Sequence, residues 1–165
     1  MISRRSAGVR IGLAVAVAVA IVNSTSVSAR QPAAGGGGDL GVTVKYQGKG
    51  PVGKGHEIGI FLFDNPDIGG PYKPVAVKVL ETNGGTVHFT GVKASTVYVA
   101  VSYDHTGEYM ESKGPPPPGA PIAVYGVKGD PNEMFKHGSP IKPSAVKTGP
   151  GAAITITFDD AYPSK

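Results

Sequence analysis

Six stretches of this chain alternate apolar and polar residues with a period of two, and turn formers separate them. Val42, Val44 and Tyr46 alternate with Gly41, Thr43 and Lys45. Ile58, Ile60 and Leu62 make one face of the next run, while Phe61 and Phe63 make its other face apolar too. Val75, Val77 and Val79 alternate with Ala76, Lys78 and Leu80, and Val87 and Phe89 sit between Thr86, His88 and Thr90. Val97, Val99, Val101 and Tyr103 alternate with Tyr98, Ala100 and Ser102; Ile154, Ile156 and Phe158 alternate with Ala153, Thr155 and Thr157. Successive side chains of an extended chain point to opposite faces, so each run presents one apolar row to a core. On this reading the Val75, Val77, Val79 row faces inward like the others. β-branched and aromatic residues, which suit a pleated surface, dominate all six runs.

The punctuation agrees. Gln47 to Gly55 is rich in Gly, Asn65 to Pro71 is dense in turn formers, and Asn83-Gly84-Gly85 is a hairpin-type link between two runs. No stretch longer than about ten residues carries a helical stripe, and no strand-helix-strand rhythm appears. These features predict an all-β fold, an antiparallel two-sheet β-sandwich of about seven strands. The segment 106–148 breaks the rhythm. It holds a short strand over Ile122 to Tyr125 and another near Ala145 to Lys147. Asp130 is placed to cap a helical turn that starts at Pro131. Pro115 to Pro118 favour a stiff polyproline II spacer lying over the sandwich, rather than a docking site for aromatic-lined modules. Long segments poor in regular structure are often functional.

The first 29 residues read as an export signal. Arg4, Arg5 and Arg10 precede the apolar run Ile11 to Val22, and small residues end at Val27-Ser28-Ala29. The expected cleavage after Ala29 leaves 136 residues, enough for one domain with a real core. It removes three of the 16 basic residues and no acid, leaving 13 against 12 and a net charge of +1. Only Arg30 remains of the arginines, so nucleic-acid binding loses its electrostatic support. Residues 30–39 read as a flexible Gly-rich leader, 40–160 as the sandwich domain and 161–165 as a tail. The expected location is periplasmic or extracellular, with no membrane span once the signal is cleaved.

Gly91-Val92-Lys93-Ala94-Ser95-Thr96-Val97-Tyr98-Val99-Ala100-Val101-Ser102-Tyr103-Asp104 resembles a strand signature of the bacterial exported domain-of-unknown-function 2141 family. Gly119-Ala120-Pro121, Tyr125-Gly126, Gly138-Ser139-Pro140, Ala145-Val146 and Ile154-Thr155-Ile156 follow in that family's order. The resemblance spans about Leu40 to Asp160. It departs at Val97, where the family carries Gly, and at His105-Thr106-Gly107-Glu108-Tyr109, where it carries an acidic Asn-Gly-rich loop. The resemblance implies a transthyretin-like or carboxypeptidase-regulatory-like Greek-key sandwich on the envelope side of a bacterium. It brings no activity with it.

The absence of Cys excludes disulfides, Cys-ligated metals and thiol nucleophiles. There is no G-x-S-x-G elbow, no H-E-x-x-H and no phosphate-binding Gly loop leading into a helix. Ser102, Asp104 and His105 have the composition of a triad, but neighbouring strand residues face opposite ways. Asp159-Asp160 reads as a solubilising edge. Oxygen ligands for calcium are available from Asp64, Asn65 and Asp67 after one strand and from Asp104, Thr106 and Glu108 after another. Copper has His56, His88, His105 and His137 with Met110 and Met134 to draw on. Tyr72, Tyr98, Tyr103, Tyr109 and Tyr125 fall between positions 72 and 125, and Tyr rings stack on sugars or anchor interfaces. Tyr98 and Tyr103 have a second reading, in which they pack inward and bond backbone. The expected function is a non-catalytic binding or structural module of the cell envelope, without a cofactor, meeting an envelope protein or a glycan. A calcium- or copper-binding protein is the first alternative and a carbohydrate-binding module the second.

Overall fold

The computed structural model describes residues 37–68, 73–108 and 115–165. The expected signal 1–29, most of the leader, and Tyr72, Tyr109 and Met110 lie outside the described residues. Among the described residues eight strands follow in order: β1 (Gly38–Tyr46), β2 (Ile58–Phe63), β3 (Ala76–Leu80), β4 (Thr86–Val92), β5 (Thr96–Tyr103), β6 (Ile122–Val124), β7 (Val146–Lys147) and β8 (Ala153–Phe158). They form two packed sheets. One has the order β4-β1-β8; the other has β3-β2-β5-β6, with β7 also on β5. Strand β1 begins at Gly38, two residues inside the stretch read as leader. Among the described residues no helix is long and apolar enough to cross a membrane.

The inward rows of β1, β2, β5 and β8 interdigitate as their alternation requires. Leu40, Val42, Val44, Ile58, Ile60, Leu62, Val97, Val99 and Val101 are all buried to 1% exposure or less, and Ile156 and Phe158 close the layer. Three departures from the periodicity have physical causes. First, β8 runs parallel to β1, from Gly41↔Ala153 to Tyr46↔Phe158, so the sandwich is not wholly antiparallel. Second, Asn83-Gly84-Gly85 does not close a hairpin, because β3 pairs with β2 and β4 pairs with β1. The link crosses between sheets instead, and the Asn83 amide pairs with the end of β1. It accepts from Tyr46 N–H at 2.8 Å and donates to Tyr46 C=O at 2.7 Å.

The third departure is the valine row of β3. The register Ile58↔Leu80, Ile60↔Lys78, Leu62↔Ala76 puts Leu80, Lys78 and Ala76 on the core face. A one-residue slip would exchange the faces, and the burial of Leu80 at 7% exposure marks the register the chain adopts. Val75, Val77 and Val79 therefore point outward at 48%, 48% and 44% exposure. Lys78 shares the face of Leu80 but stays exposed at the sheet edge, its Nζ 5.8 Å from the Phe89 ring centroid.

The outer face of the larger sheet has its own small core. Phe63, Ile68 and Val124 are buried there against Phe61, Tyr98, Ala100, Val127 and Met134. Part of segment 106–148, namely Val124, Val127 and Met134, thus packs on the outside of the sandwich, while Tyr125 and Val146 join the main core. Strands β6 and β7 sit one after the other along the same edge of β5. Between them comes a single 3-10 turn, Pro131–Phe135, whose N-cap Asp130 accepts from Asn132 N–H at 3.0 Å. Gly126 lets this excursion return: its φ is +81°, and a Cβ there would stand 1.9 Å from Ser144 Oγ. The Pro115 to Pro118 stretch carries no regular helix or strand, and Pro117 C=O closes a turn with Ala120 N–H at 3.1 Å.

Candidate binding cleft

The two sheets leave β6 and β8 as neighbouring edges, and the chain's last residues run between them. Tyr162 C=O accepts from Ile122 N–H at 3.0 Å, and Ser164 N–H donates to Ala120 C=O at 2.8 Å. Gly119 N–H donates to Ser164 C=O at 2.8 Å, and Asn132 Nδ2 donates to Pro163 C=O at 2.8 Å. Lys165 Nζ meets the Asp130 carboxylate at 3.1 Å. The tail therefore runs antiparallel beside residues 119–122, at the start of β6. Beside it opens a cleft of about 260 Å³. Its apolar wall comes from Ile122, Val124, Val127 and Phe158, and its polar rim from Gln47, Thr157, Asp159 and Tyr162. That volume falls just short of the roughly 300–1,000 Å³ of drug-sized sites, so it suits a fragment of one or two rings.

Asp160 anchors the tail's root. Its carboxylate accepts from Tyr46 Oη and, at 2.9 Å, from Lys49 N–H. Tyr46 stacks on Tyr103 with ring centroids 4.3 Å apart and meets Phe158 at 5.1 Å. Burial, then the bond to Asp160, pushes the Tyr46 hydroxyl well above its ordinary range. Burial, then the charges of Asp160 and Asp104, raises Tyr103 as well. The Tyr46 hydroxyl, then the Lys49 amide, holds the Asp160 carboxyl below its ordinary value. The pair expected to be a solubilising edge is thus divided. Asp160 works as a clasp, and Asp159 turns to the cleft and accepts from Ala161 N–H at 2.9 Å.

A second, smaller cleft of about 170 Å³ lies over the outer core, lined by Ile68, Met134, Phe135 and Ile141. The ion pair Lys142–Asp67, at 3.2 Å, crosses its mouth. Both clefts are lined in part by segment 106–148.

The residues singled out in the sequence are distributed as follows. Strands β2 and β5 are antiparallel with Phe63 opposite Tyr98 and Ile58 opposite Tyr103. Asp64 and Asp67 therefore stand at one end of the sandwich, and Asp104, His105 and Glu108 at the other. One ion cannot draw on both sets. Asp104 is fully buried, and its Oδ1 accepts from Thr106 N–H, Thr106 Oγ1 and Gly107 N–H at 3.1, 3.0 and 2.8 Å. Its place is to shape the loop. His105 and Glu108 are exposed, as are His88 and His137. His56 Nδ1 lies 3.2 Å from Asp104 C=O. Among the described residues no three His, Asp or Glu side chains converge as a metal set would.

The tyrosines divide by strand parity. Tyr103 is buried in the main core, its hydroxyl donating to Pro51 C=O at 2.8 Å, which is the inward-packing reading. Tyr125 packs on the same core, whereas Tyr98 belongs to the outer one. Tyr109 lies outside the described residues. The cleft's polar rim was not among the residues singled out. Gln47, Thr157 and Asp159 sit at strand ends with no local pattern, and Tyr162 lies in the stretch read as a tail.

Comparison with protein-family models, with characterised proteins and with solved structures returns no match.

Proposed function

We propose that this protein is an exported, non-catalytic binding module of the bacterial cell envelope, with its ligand seated in the cleft between β6 and β8. The carrying observation is the cleft itself: an apolar wall beside a short polar rim, held open by two edges and a tail hydrogen-bonded to one of them. A concave cleft with a few convergent polar groups is a usual setting for a small-ligand site. The export-type leader and the resemblance to an envelope-side family support the location.

A short glycan is the ligand chemistry that fits this rim. Tyr162 is 37% exposed and offers a ring to stack on a sugar face. The amide of Gln47, the hydroxyl of Thr157 and the carboxylate of Asp159 stand beside it for sugar hydroxyls. Titration of the purified protein with a panel of short oligosaccharides, followed by heteronuclear NMR, is the test. Shifts confined to residues 122–131 and 157–162, and abolished by Tyr162→Ala, are the expected result. Binding mapped elsewhere, or none at millimolar sugar, overturns the reading. A calcium or copper protein is the competing class, and a melting temperature unmoved by either metal or by a chelator removes it.

A further inference from the structure

Among the described residues, Val77 and Val79 of β3 and Val75 just before it form an exposed apolar row. Val75, Val77 and Val79 stand about 6.8 Å apart along the strand, a stripe of roughly 14 Å. Among the described residues β3 pairs with β2 alone, so its far backbone edge carries no strand. Lone exposed apolar residues are ordinary, but three in register on a free edge strand form a template for another strand.

The charges flanking this stripe select what that strand is. Strand β3 spans Ala76–Leu80, and its alternation carried past both ends gives Lys, Val, Val, Val and Glu at positions 73, 75, 77, 79 and 81, with Lys73 and Glu81 both exposed. An identical strand laid antiparallel about a two-fold axis through Val77 meets this row as its own complement. Lys73 then faces Glu81 of the second copy, Val75 faces Val79, and Val77 faces itself. Residues directly opposite share a face in an antiparallel pair, so all five contacts form on the same side. Lys78 stands on the opposite face from the valines, its Nζ 5.8 Å from the Phe89 ring centroid, so no charge interrupts the row between Lys73 and Glu81.

We propose that β3 is a homodimerisation edge, pairing with β3 of a second copy in this register to join the two larger sheets into one. A contact of one short strand lies below the size of standard stable interfaces, so the dimer is weak and concentration-dependent. Its place is remote from the cleft at β6 and β8, and it stands or falls independently of the binding reading.

Sedimentation equilibrium across the micromolar range tests it. Wild-type protein shows reversible dimer formation. Lys73→Glu and Glu81→Lys each set two like-charge pairs across the axis and weaken the dimer by about tenfold. An equimolar mixture of these two single variants restores association, because each supplies the charge the other lacks. All substituted positions are exposed, so circular dichroism and melting temperature stay at wild-type values. A monomer at every concentration overturns the proposal, including the case in which β3 accepts only a foreign strand. So does a dimer indifferent to both reversals, or one that mixing fails to restore.

Discussion

The clasp between Tyr46 and Asp160 joins the end of β1 to the chain's last turn through a single charge-assisted bond. Tyr46→Phe keeps the stacking on Tyr103 and removes only the hydroxyl. The expected loss is about 1 kcal/mol, at the low end for such bonds because Asp160 is exposed. The pH dependence follows from the directions of the two shifts. The lowered Asp160 contributes fully above its ordinary value of 3.8 and loses that contribution as pH falls through its folded value. The raised Tyr46 contributes fully below 10.0 and loses its share as pH rises through its folded value. Melting temperatures of Asp160→Asn should therefore fall less steeply with acid than those of the wild type, a difference confined to pH below about 4. Ser102 makes the opposite case. Its hydroxyl is buried at 1% exposure with no partner among the described residues. An unsatisfied buried polar atom costs stability, so Ser102→Ala is expected to be neutral or to stabilise by up to about 1 kcal/mol in chemical denaturation.

At the scale of elements, alternation was enough to place the strands, and the edges were where it failed. Every inward row of β1, β2, β5 and β8 was legible because a strand with neighbours on both sides, or one closing a core, must bury one face. The row of β3 was not. Alternation names two faces without saying which is the core, and Leu80 with Ala76 outweighed three valines at a sheet edge. The capped turn at Asp130 was legible because capping is local chemistry. The cleft was not, since Gln47 and Thr157 meet Tyr162 only after β8 has paired with β1. Asn83 shows the same limit, its sequence saying turn and its contacts saying strand. Asn83→Ala removes both bonds to Tyr46 and should cost about 1–2 kcal/mol, measured as a shift in denaturant midpoint with an unchanged slope. Gly126→Ala combines a positive φ with a clash at Ser144 and should cost more, loosening the excursion between β6 and β7. Hydrogen exchange at Tyr125 and Ser144 amides, bonded to Val99 and Tyr125 carbonyls, is the readout.

For the whole molecule, two sheets share one core, and the last strand completes the smaller of them. Deleting residues 161–165 removes the hydrogen bonds that tie the tail to Gly119, Ala120, Ile122 and Asn132. The melting transition should stay cooperative but shift downward, by about 2–4 kcal/mol in stability. A chain ending before Ala153 lacks β8 altogether and leaves one side of β1 unpaired. It should show no cooperative transition, because the inward rows of Ile156 and Phe158 are missing from the core. The parallel pairing of β1 with β8 carries a temporal consequence. The strand nearest the start must wait for the strand nearest the end, across more than a hundred intervening residues. Such distant pairings are slow to find. Closing the smaller sheet is therefore expected to be the last event of folding, visible as late protection of the Gly41 and Gln47 amides, which bond to Ala152 and Phe158 carbonyls.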